Sequence, residues 1–399
     1  MSLNLPILAT HNDCTGCLAC IDVCGVGALS MQIAKEGHLY PQLDANKCIG
    51  CRLCERICPI KSNFAYCESE KSIFYAAWNK DSEERKLSAS GGVFSAMAHY
   101  VIDKGGVVVG AKTENACDVR HAIIYNKQDI SLLQGSKYTQ SVTVGIYKQV
   151  IKLLLDGRMV LFSGTGCQIA GLYSFLGNRS YIGRLITVDL ICGGVPSKLL
   201  LQKFVENEPY KVKRIVSYRT KDTGWKSIGF AYNMKVEDVE GNIHDYAGKR
   251  NLVTTAFGVG LTQRYSCYNC KFVGKRRKSD FTIGDLWGDK KYPEQHFDGL
   301  SLLIAHNQQS EELLTQMKAF LQVELYDSKR AIKYNHRLIN GRSVSKYTFE
   351  RKFLAKIFDI CSYETLKKIY ANNYTNYSPW MLLKVFRYVY LTVLKKINS

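Results

Sequence analysis

Cysteine spacing is where chemistry first shows in this chain. The runs "CTGCLACIDVC" (Cys14, Cys17, Cys20, Cys24) and "CIGCRLCERICP" (Cys48, Cys51, Cys54, Cys58) repeat one pattern, C-x2-C-x2-C-x3-C, with equivalent cysteines 34 positions apart. Three closely spaced thiolates can wrap three corners of an iron–sulfur cubane, and the fourth cysteine of each run then ligates the other centre. The pattern places Cys14, Cys17, Cys20 and Cys58 on one [4Fe–4S] cluster, and Cys48, Cys51, Cys54 and Cys24 on a second. Two zinc sites are the competing reading, although zinc ribbons seldom use three cysteines at this spacing.

A further pair, Cys267 and Cys270 of "CYNC", supplies two thiolates where a structural zinc or a cluster takes four. Candidates for the other two are Cys167 in "VLFSGTGCQ" and Cys192 in "TVDLICGGVPS". Each follows an apolar, strand-like run and lies among glycines, where a thiolate can be reached and a helix N-terminus can stabilise its charge. Spacing alone leaves iron–sulfur and zinc open for this site. Cys67, Cys117 and Cys361 read as small buried hydrophobes.

The elements that must position these residues alternate between helix and strand from Ile73 onward, which is the signature of an α/β core. "SASGGVFSAMAHYVIDKGG" predicts a glycine-rich turn, then a helix burying Val93, Phe94, Met97, Ala98, Val101 and Ile102, ended by Gly105 and Gly106. The strand "VVVGAK" follows, then a helix over about 144–155, a strand from Met159, the helix "QIAGLYSFLG" and the strand "LITVDLIC". Strands joined by a helix are often parallel neighbours, and ligands sit beyond their carboxyl ends, so Cys167 and Cys192 are expected to share a crevice.

At 399 residues the chain is long for a single core. Grouped C-x-x-C cysteines point to a reducing compartment. No signal peptide and no membrane-spanning apolar run is visible, so a cytoplasmic, soluble or peripheral protein is expected. The net charge of +19 raises a nucleic-acid reading, but from Lys329 to Ser399 fifteen Lys and Arg face only Glu350, Asp359 and Glu364. Most of the excess is thus a property of the tail, and no nucleic-acid motif accompanies it. "SPWMLLKVFRYVYLTVLKK", opening with Ser378 and Pro379, predicts a basic helix. It would lie on an anionic membrane surface at the inner face, dock on a partner protein, or pack on the core.

Residues 8 to 62 resemble the bacterial dicluster ferredoxin family, with one departure: the proline after the fourth cysteine is kept as Pro59 but is Gly25 in the first run. The motifs "SGGVFSA", "QGSKYTQS", "VLFSGTGCQIAGL", "VDLICGGVPS" and "SCYNCKF…SDFTIGDLWG" resemble the coenzyme F420 hydrogenase/dehydrogenase beta-subunit family over most of residues 72 to 305. The resemblance implies a flavoprotein carrying FAD and iron–sulfur clusters. Its two-electron partner would be the deazaflavin or another organic substrate, as with hydroxymethyl-chlorophyll in a plant relative. It departs from the family where Gly166 replaces a proline and Gly193 a histidine; losing that histidine removes a candidate proton donor.

The expected architecture is an α+β ferredoxin-like dicluster module over 1–70, an α/β flavin-binding domain over 71–326 and a helical basic tail over 327–399. No Rossmann or P-loop signature is present, so other backbone amides would hold FAD phosphates, with Ser90, Gly91 and Gly92 before a helix as candidates. An ordinary serine-capped turn is the alternative. Ser136 and Lys137 of "GSKY" belong to a motif assigned to the flavin, and Ser163, Gly164 and Thr165 would approach the flavin ring or the third cluster. Asp285 would bond a ring or ribose hydroxyl, unless it simply ends a strand. "KRRK" (Lys275 to Lys278) reads as a solvated loop, or else as an electropositive rim for a phosphorylated or carboxylated substrate. No catalytic residue is identified.

A flavin can join one-electron clusters to a two-electron substrate, so the expected path runs from the dicluster module through the third cluster (Cys167, Cys192, Cys267, Cys270) to FAD and substrate. The partners expected are a ferredoxin or another redox protein, with no nucleic acid. The alternatives are an electron-transfer subunit of a larger hydrogenase or dehydrogenase complex without its own substrate, and a zinc-stabilised nucleic-acid-binding protein.

Overall fold

The structure, a computed structural model, describes residues 4–62, 72–177, 179, 181–222, 224–225, 234–246, 251–274, 277–342 and 361–370. Cys67, Lys275, Arg276 and the helix expected from Ser378 lie outside the described residues. The N-terminal module is two short helices, α1 (Ala19–Val23) and α2 (Leu53–Arg56), flanking an antiparallel hairpin of β1 (Leu29–Ile33) and β2 (Leu39–Leu43).

The main body follows in chain order as β3 (Ile73–Asn79), α3 (Ser82–Leu87), α4 (Val93–Asp103), β4 (Val107–Thr113), β5 (Val119–Ile124), α5 (Ile130–Leu133), β6 (Ser141–Val142), α6 (Ile146–Leu155), β7 (Val160–Thr165), α7 (Gly166–Leu176) and β8 (Leu185–Leu190). An insertion of α8 (Lys198–Asn207), β9 (Val212–Ser217), β10 (Met234–Asp238), β11 (Ile243–Tyr246) and α9 (Leu252–Val259) separates β8 from β12 (Phe281–Asp285). Then come β13 (Ser301–Ala305), α10 (Gln308–Gln316), β14 (Leu321–Leu325), α11 (Ser328–Tyr334) and α12 (His336–Asn340).

Nine strands form one mixed sheet in the order β14-β3-β13-β12-β8-β7-β4-β5-β6. Its centre, β4, β7, β8 and β12, is parallel, whereas β3, β13 and β14 pair antiparallel on one side. The sheet is therefore less uniformly parallel than the alternating pattern suggested. Helices cover both faces of the centre, which explains why "VVV" and "VLF" are continuous apolar runs with no polar alternation. In β7, Leu161 packs with Met97 and Val101 of α4 on one face, while Val160 and Phe162 pack with Tyr147, Val150 and Leu172 of α6 and α7 on the other. Burying one such side chain contributes about 1.5–3 kcal/mol.

The insertion has its own small core. β9, β10 and β11 form an antiparallel sheet, and Phe204, Met234, Val236, Leu252 and Leu366 pack together, with the last supplied by a helix at Tyr363–Tyr370. Beyond the expected boundary at residue 327, Ala331 of α11 and Leu338 of α12 pack against Trp225, Leu286 and Leu302. Among the described residues no helix is long and apolar enough to cross a membrane.

Candidate functional site

The two cysteine runs adopt one backbone design twice. Gly16 and Gly50 have φ of 68° and 70°, and Leu18 and Arg52, at φ 62° and 57°, are the only non-glycine residues with positive φ among those described. A left-handed residue costs roughly 1–2 kcal/mol without glycine, so the repeat keeps this turn at both places against its intrinsic preference. In each, the turn bends the chain around the cysteines flanking it. Cys14, Cys17, Cys20 and Cys58 line a single cavity together with Leu18, Pro41, Cys54 and Ile60.

The buried thiols of the two runs lie close enough to act on one another across the runs. Burial pushes the Cys20 thiol up, reinforced by Cys17, Cys14, Cys58 and Cys54. Burial likewise raises Cys54, reinforced by Cys24 and Cys51. Cys58 thus lies near the first run and Cys24 near Cys54 and Cys51, with Cys54 close to both groups. Thiols crowded and buried in this way suit a cationic metal–sulfur centre, which requires them deprotonated.

The second assembly is built from three distant segments. β7 and β8 are parallel neighbours with Gly164 opposite Asp189 and Thr165 opposite Leu190, and Cys167 and Cys192 each lie two residues beyond. Thr165 and Gln168 form a reciprocal capping box that starts α7 directly at the strand end. This places Cys167 in the first helical turn, where the helix dipole favours a thiolate. Cys267 and Cys270 come from the short 3-10 helix Tyr265–Asn269 and its end.

Burial raises Cys192 to about 11 and Cys270 to about 12, with the neighbouring Cys167 thiol raising both. Cys267 is raised too, by burial and then by Cys192 and Cys167. Backbone N–H groups donate to three of the sulfurs: Gly194 to Cys192 Sγ at 3.3 Å, Val195 to Cys267 Sγ at 3.4 Å and Phe272 to Cys270 Sγ at 3.4 Å. Such N–H donors stabilise sulfur that carries negative charge. Among the described residues no three His, Cys, Asp or Glu groups converge on one metal ion.

This inner group adjoins the N-terminal module. The Cys14 and Cys17 thiols both feel Cys167. On α7, a Cβ at Gly171 would stand 3.3 Å from Cys17 Sγ, so glycine is what lets α1 come so near. The seam is hydrogen-bonded: Thr143 Oγ1 donates to Cys17 O at 2.7 Å, Tyr147 Oη to the same oxygen at 2.9 Å, and Ser266 Oγ to Cys14 O at 3.0 Å. Asp22 accepts from Gly145 N and Tyr147 N at the start of α6.

The residues expected at a flavin fall into two neighbourhoods. Thr165 Oγ1 lies 3.1 Å from Cys167 Sγ, and Ser163 O accepts from His121 Nε2 at 3.0 Å, so Ser163, Gly164 and Thr165 lie on the cysteine side. Ser136 and Asp285 meet at Arg219, a residue the sequence reading missed: its Nη1 pairs with Asp285 Oδ2 at 2.8 Å, and its Nη2 reaches Ser136 Oγ and Ala89 O at 3.4 and 3.3 Å. Lys221, also missed, donates to Ser90 O at 2.6 Å. Lys137 donates to Gln134 O at 2.6 Å. Burial lowers both lysines to about 7. Trp225 stacks on Trp287 and donates through Nε1 to Asp285. Gly91 is accounted for by packing: its N–H donates to Ser301 Oγ, and a Cβ there would strike Ala77 O at 2.5 Å.

"KRRK" is not simply a solvated loop. Arg277 is buried and pairs with Asp189 of β8 at 2.7 Å, which ties the loop after Cys270 to the strand before Cys192. The two glycines that depart from the family are filled from elsewhere. A Cβ at Gly193 would meet Arg337 Nη1 at 2.9 Å, and one at Gly166 would meet Phe272 O at 2.9 Å. Cys361 is buried in the small core and Cys117 packs against its edge, each among apolar neighbours.

The chain matches known families over most of its length. Residues 13–62 match the 4Fe-4S dicluster domain. Residues 74–147 match the N-terminal part, and 157–330 the C-terminal part, of the coenzyme F420 hydrogenase/dehydrogenase beta subunit. One subunit of the F(420)H(2) dehydrogenase of Methanosarcina mazei is 28% identical over 151 residues, 36% of this chain and 43% of that protein. An uncharacterized protein of Methanocaldococcus jannaschii is 50% identical over 42 residues, 10% of this chain and 17% of that one. The chain thus spans less than half the length of either curated relative. A chain of the F420-reducing [NiFe] hydrogenase complex from Methanosarcina barkeri is similar at 18% identity and a TM-score of 0.45, covering 77% of this chain and 96% of that one. With both halves of one family matched across more than half its length, behind a 4Fe-4S dicluster domain, this chain belongs to the coenzyme F420 hydrogenase/dehydrogenase beta-subunit family.

Proposed function

We propose that the chain is an oxidoreductase subunit that holds three [4Fe–4S] clusters and a flavin, and exchanges electrons between a partner protein and a two-electron organic substrate, with deazaflavin coenzyme F420 as the leading candidate. One observation carries this reading: Cys167, Cys192, Cys267 and Cys270 assemble from three separate segments directly beside Cys14 and Cys17. Bound clusters supply single-electron exchange, and a flavin supplies the conversion to two electrons.

The protein's own groups have distinct tasks. The twelve cysteines of the three sets ligate iron. The backbone amides of Gly194, Val195 and Phe272 support the charge on the inner sulfurs. Arg219, Lys221 and Lys137, opposed there by Asp285, favour an anionic ligand such as the diphosphate of FAD. Ser136 and Ser90 help fix that cationic group in place.

Partner contact is assigned to the second cysteine run. Cys51 is the one exposed cysteine among the described residues. Ile7 (64% exposed), Ile49 (62%) and Leu53 (41%) stand near it. Lys47, Arg52, Arg56 and Lys61 outnumber Asp44 and Glu55 along this stretch. That rim suits an acidic one-electron carrier, or a neighbouring subunit of a larger assembly.

The test is anaerobic reconstitution with analysis of iron, sulfide and extracted flavin. About twelve iron per chain with bound flavin is expected, from three four-iron clusters. About eight iron would remove the inner cluster, and a flavin-free protein would leave an electron-transfer subunit without its own substrate chemistry.

A further inference from the structure

Arg264 is 0% exposed, and among the described residues no carboxylate pairs with it. Its Nη2 donates to Leu39 O at 2.9 Å and to Gln140 Oε1 at 2.5 Å, and its guanidinium lies 4.5 Å from the centre of the Tyr40 ring. Its Nε and Nη1 have no hydrogen-bond partner. A buried cation with two idle donors is costly unless something negative stands nearby.

Thiols that can carry negative charge stand on two sides of it. Arg264 lies between the first cysteine set and the inner one. A Cβ at Gly16, between Cys14 and Cys17, would stand 2.7 Å from its Nη2, while its own carbonyl accepts from Cys267 N at 3.0 Å. Its charge lowers the Cys14, Cys167 and Cys267 thiols against the upward pull of burial. Beside the outer set, Cys24, Cys48, Cys51 and Cys54, Arg52 is by contrast partly exposed and bound to Glu55 at 2.8 Å.

We propose that Arg264 is a redox-positioning residue shared by two cluster sites. Its charge and its two idle N–H groups stabilise the one-electron-reduced state at Cys14/Cys17/Cys20/Cys58 and at Cys167/Cys192/Cys267/Cys270, leaving the outer site the most reducing of the three. Reduction at either site adds one electron and one unit of negative charge and moves no proton, so a fixed buried cation acts on it directly. The consequence is an inward gradient: electrons delivered at Cys51 by a low-potential protein carrier are favoured at the two sites that Arg264 touches. This inference rests on the three-cluster reading above.

The test is a redox titration followed by electron paramagnetic resonance on the full chain reconstituted anaerobically, with the outer signal assigned through Cys51→Ser. Arg264→Gln is expected to disfavour reduction at the two adjacent sites by at least tenfold, about 59 mV, and to leave the outer midpoint in place. Arg264→Lys, which keeps the charge, should recover part of the shift. Equal shifts at all three sites, or none, overturn the proposal. Should Arg264→Gln fail to fold, the wild-type order decides: the outer signal must have the lowest midpoint, and a higher one refutes the gradient. Three intact signals with about twelve iron and no shift would remove the role of Arg264 alone, whereas a missing third signal would remove the cluster reading beneath it.

Discussion

The dicluster module and the inner four-cysteine group are two solutions to one problem, and they differ in what holds their cysteines together. In the module, each run of four cysteines spans eleven residues, and a repeated left-handed turn bends them into place. In the inner group, the placement of the cysteines depends on β7 and β8 being parallel neighbours and on a loop tied back by Arg277. Local chain geometry shapes the first, and the core of the α/β body shapes the second. The first should therefore survive damage that abolishes the second.

The strongest way to break that symmetry is Arg277→Met. It strands the buried Asp189 carboxylate, and removing one member of a buried pair costs roughly 3–5 kcal/mol. We expect a large fall in the denaturation midpoint and loss of about four iron per chain, with the module's signals retained. Equal loss from all three sites would show that the module depends on the body more than its turns suggest.

Gly171→Val attacks the seam instead of either site. The added side chain would press on Tyr147 Oη and on Cys17, an overpacking that typically costs about 1–3 kcal/mol. A moderate drop in melting temperature is expected, with altered resonance of the Cys17 site and an unchanged outer one. An unaltered melting temperature would mean that α7 does not seat the module.

A pH dependence is expected in a region that neither cysteine set contains. Burial lowers Lys137 and Lys221 to about 7, whereas unfolded lysine keeps its proton to about pH 10. Without ligand the folded state therefore binds fewer protons between these values, and its stability rises with pH across that window. Anion binding has the opposite sign, because the charged ammonium is needed. Flavin affinity should weaken above pH 7 by up to about tenfold per pH unit for each lysine that must be protonated. Fluorescence titration at pH 6 and 9 measures it, and a flat profile would take the diphosphate away from these lysines.

Much of this was legible in the sequence, and the gaps have physical causes. The helix expected after "SASGG" is α4, and the helix over about 144–155 is α6, starting two residues later because Gly145 takes a left-handed φ of 84°. Cys167 and Cys192 could be brought together because strand ends obey topological rules. The arginines could not. Arg277 looked like part of a solvated basic run because its partner, Asp189, is 88 residues away. Arg264 stands beside "SCYNC" with nothing in its neighbours to mark it as buried, and Arg219 gains meaning only through Asp285, 66 residues on. Charge partners this remote leave no local period. The insertion carrying β9 to β11 also hid the closeness of β8 and β12, which pair directly despite the residues between them.

Leu18 and Arg52 occupy the same step of the duplicated turn, yet Leu18 is 1% exposed while the Arg52 side chain is 39% exposed. One half of a symmetric unit has become insulation and the other a terminal. Exchanging the two side chains would leave the backbone design intact and reverse which end of the module tolerates water. On the proposed reading, the Arg52 turn is the side a carrier reaches and the Leu18 turn the side shielded from water.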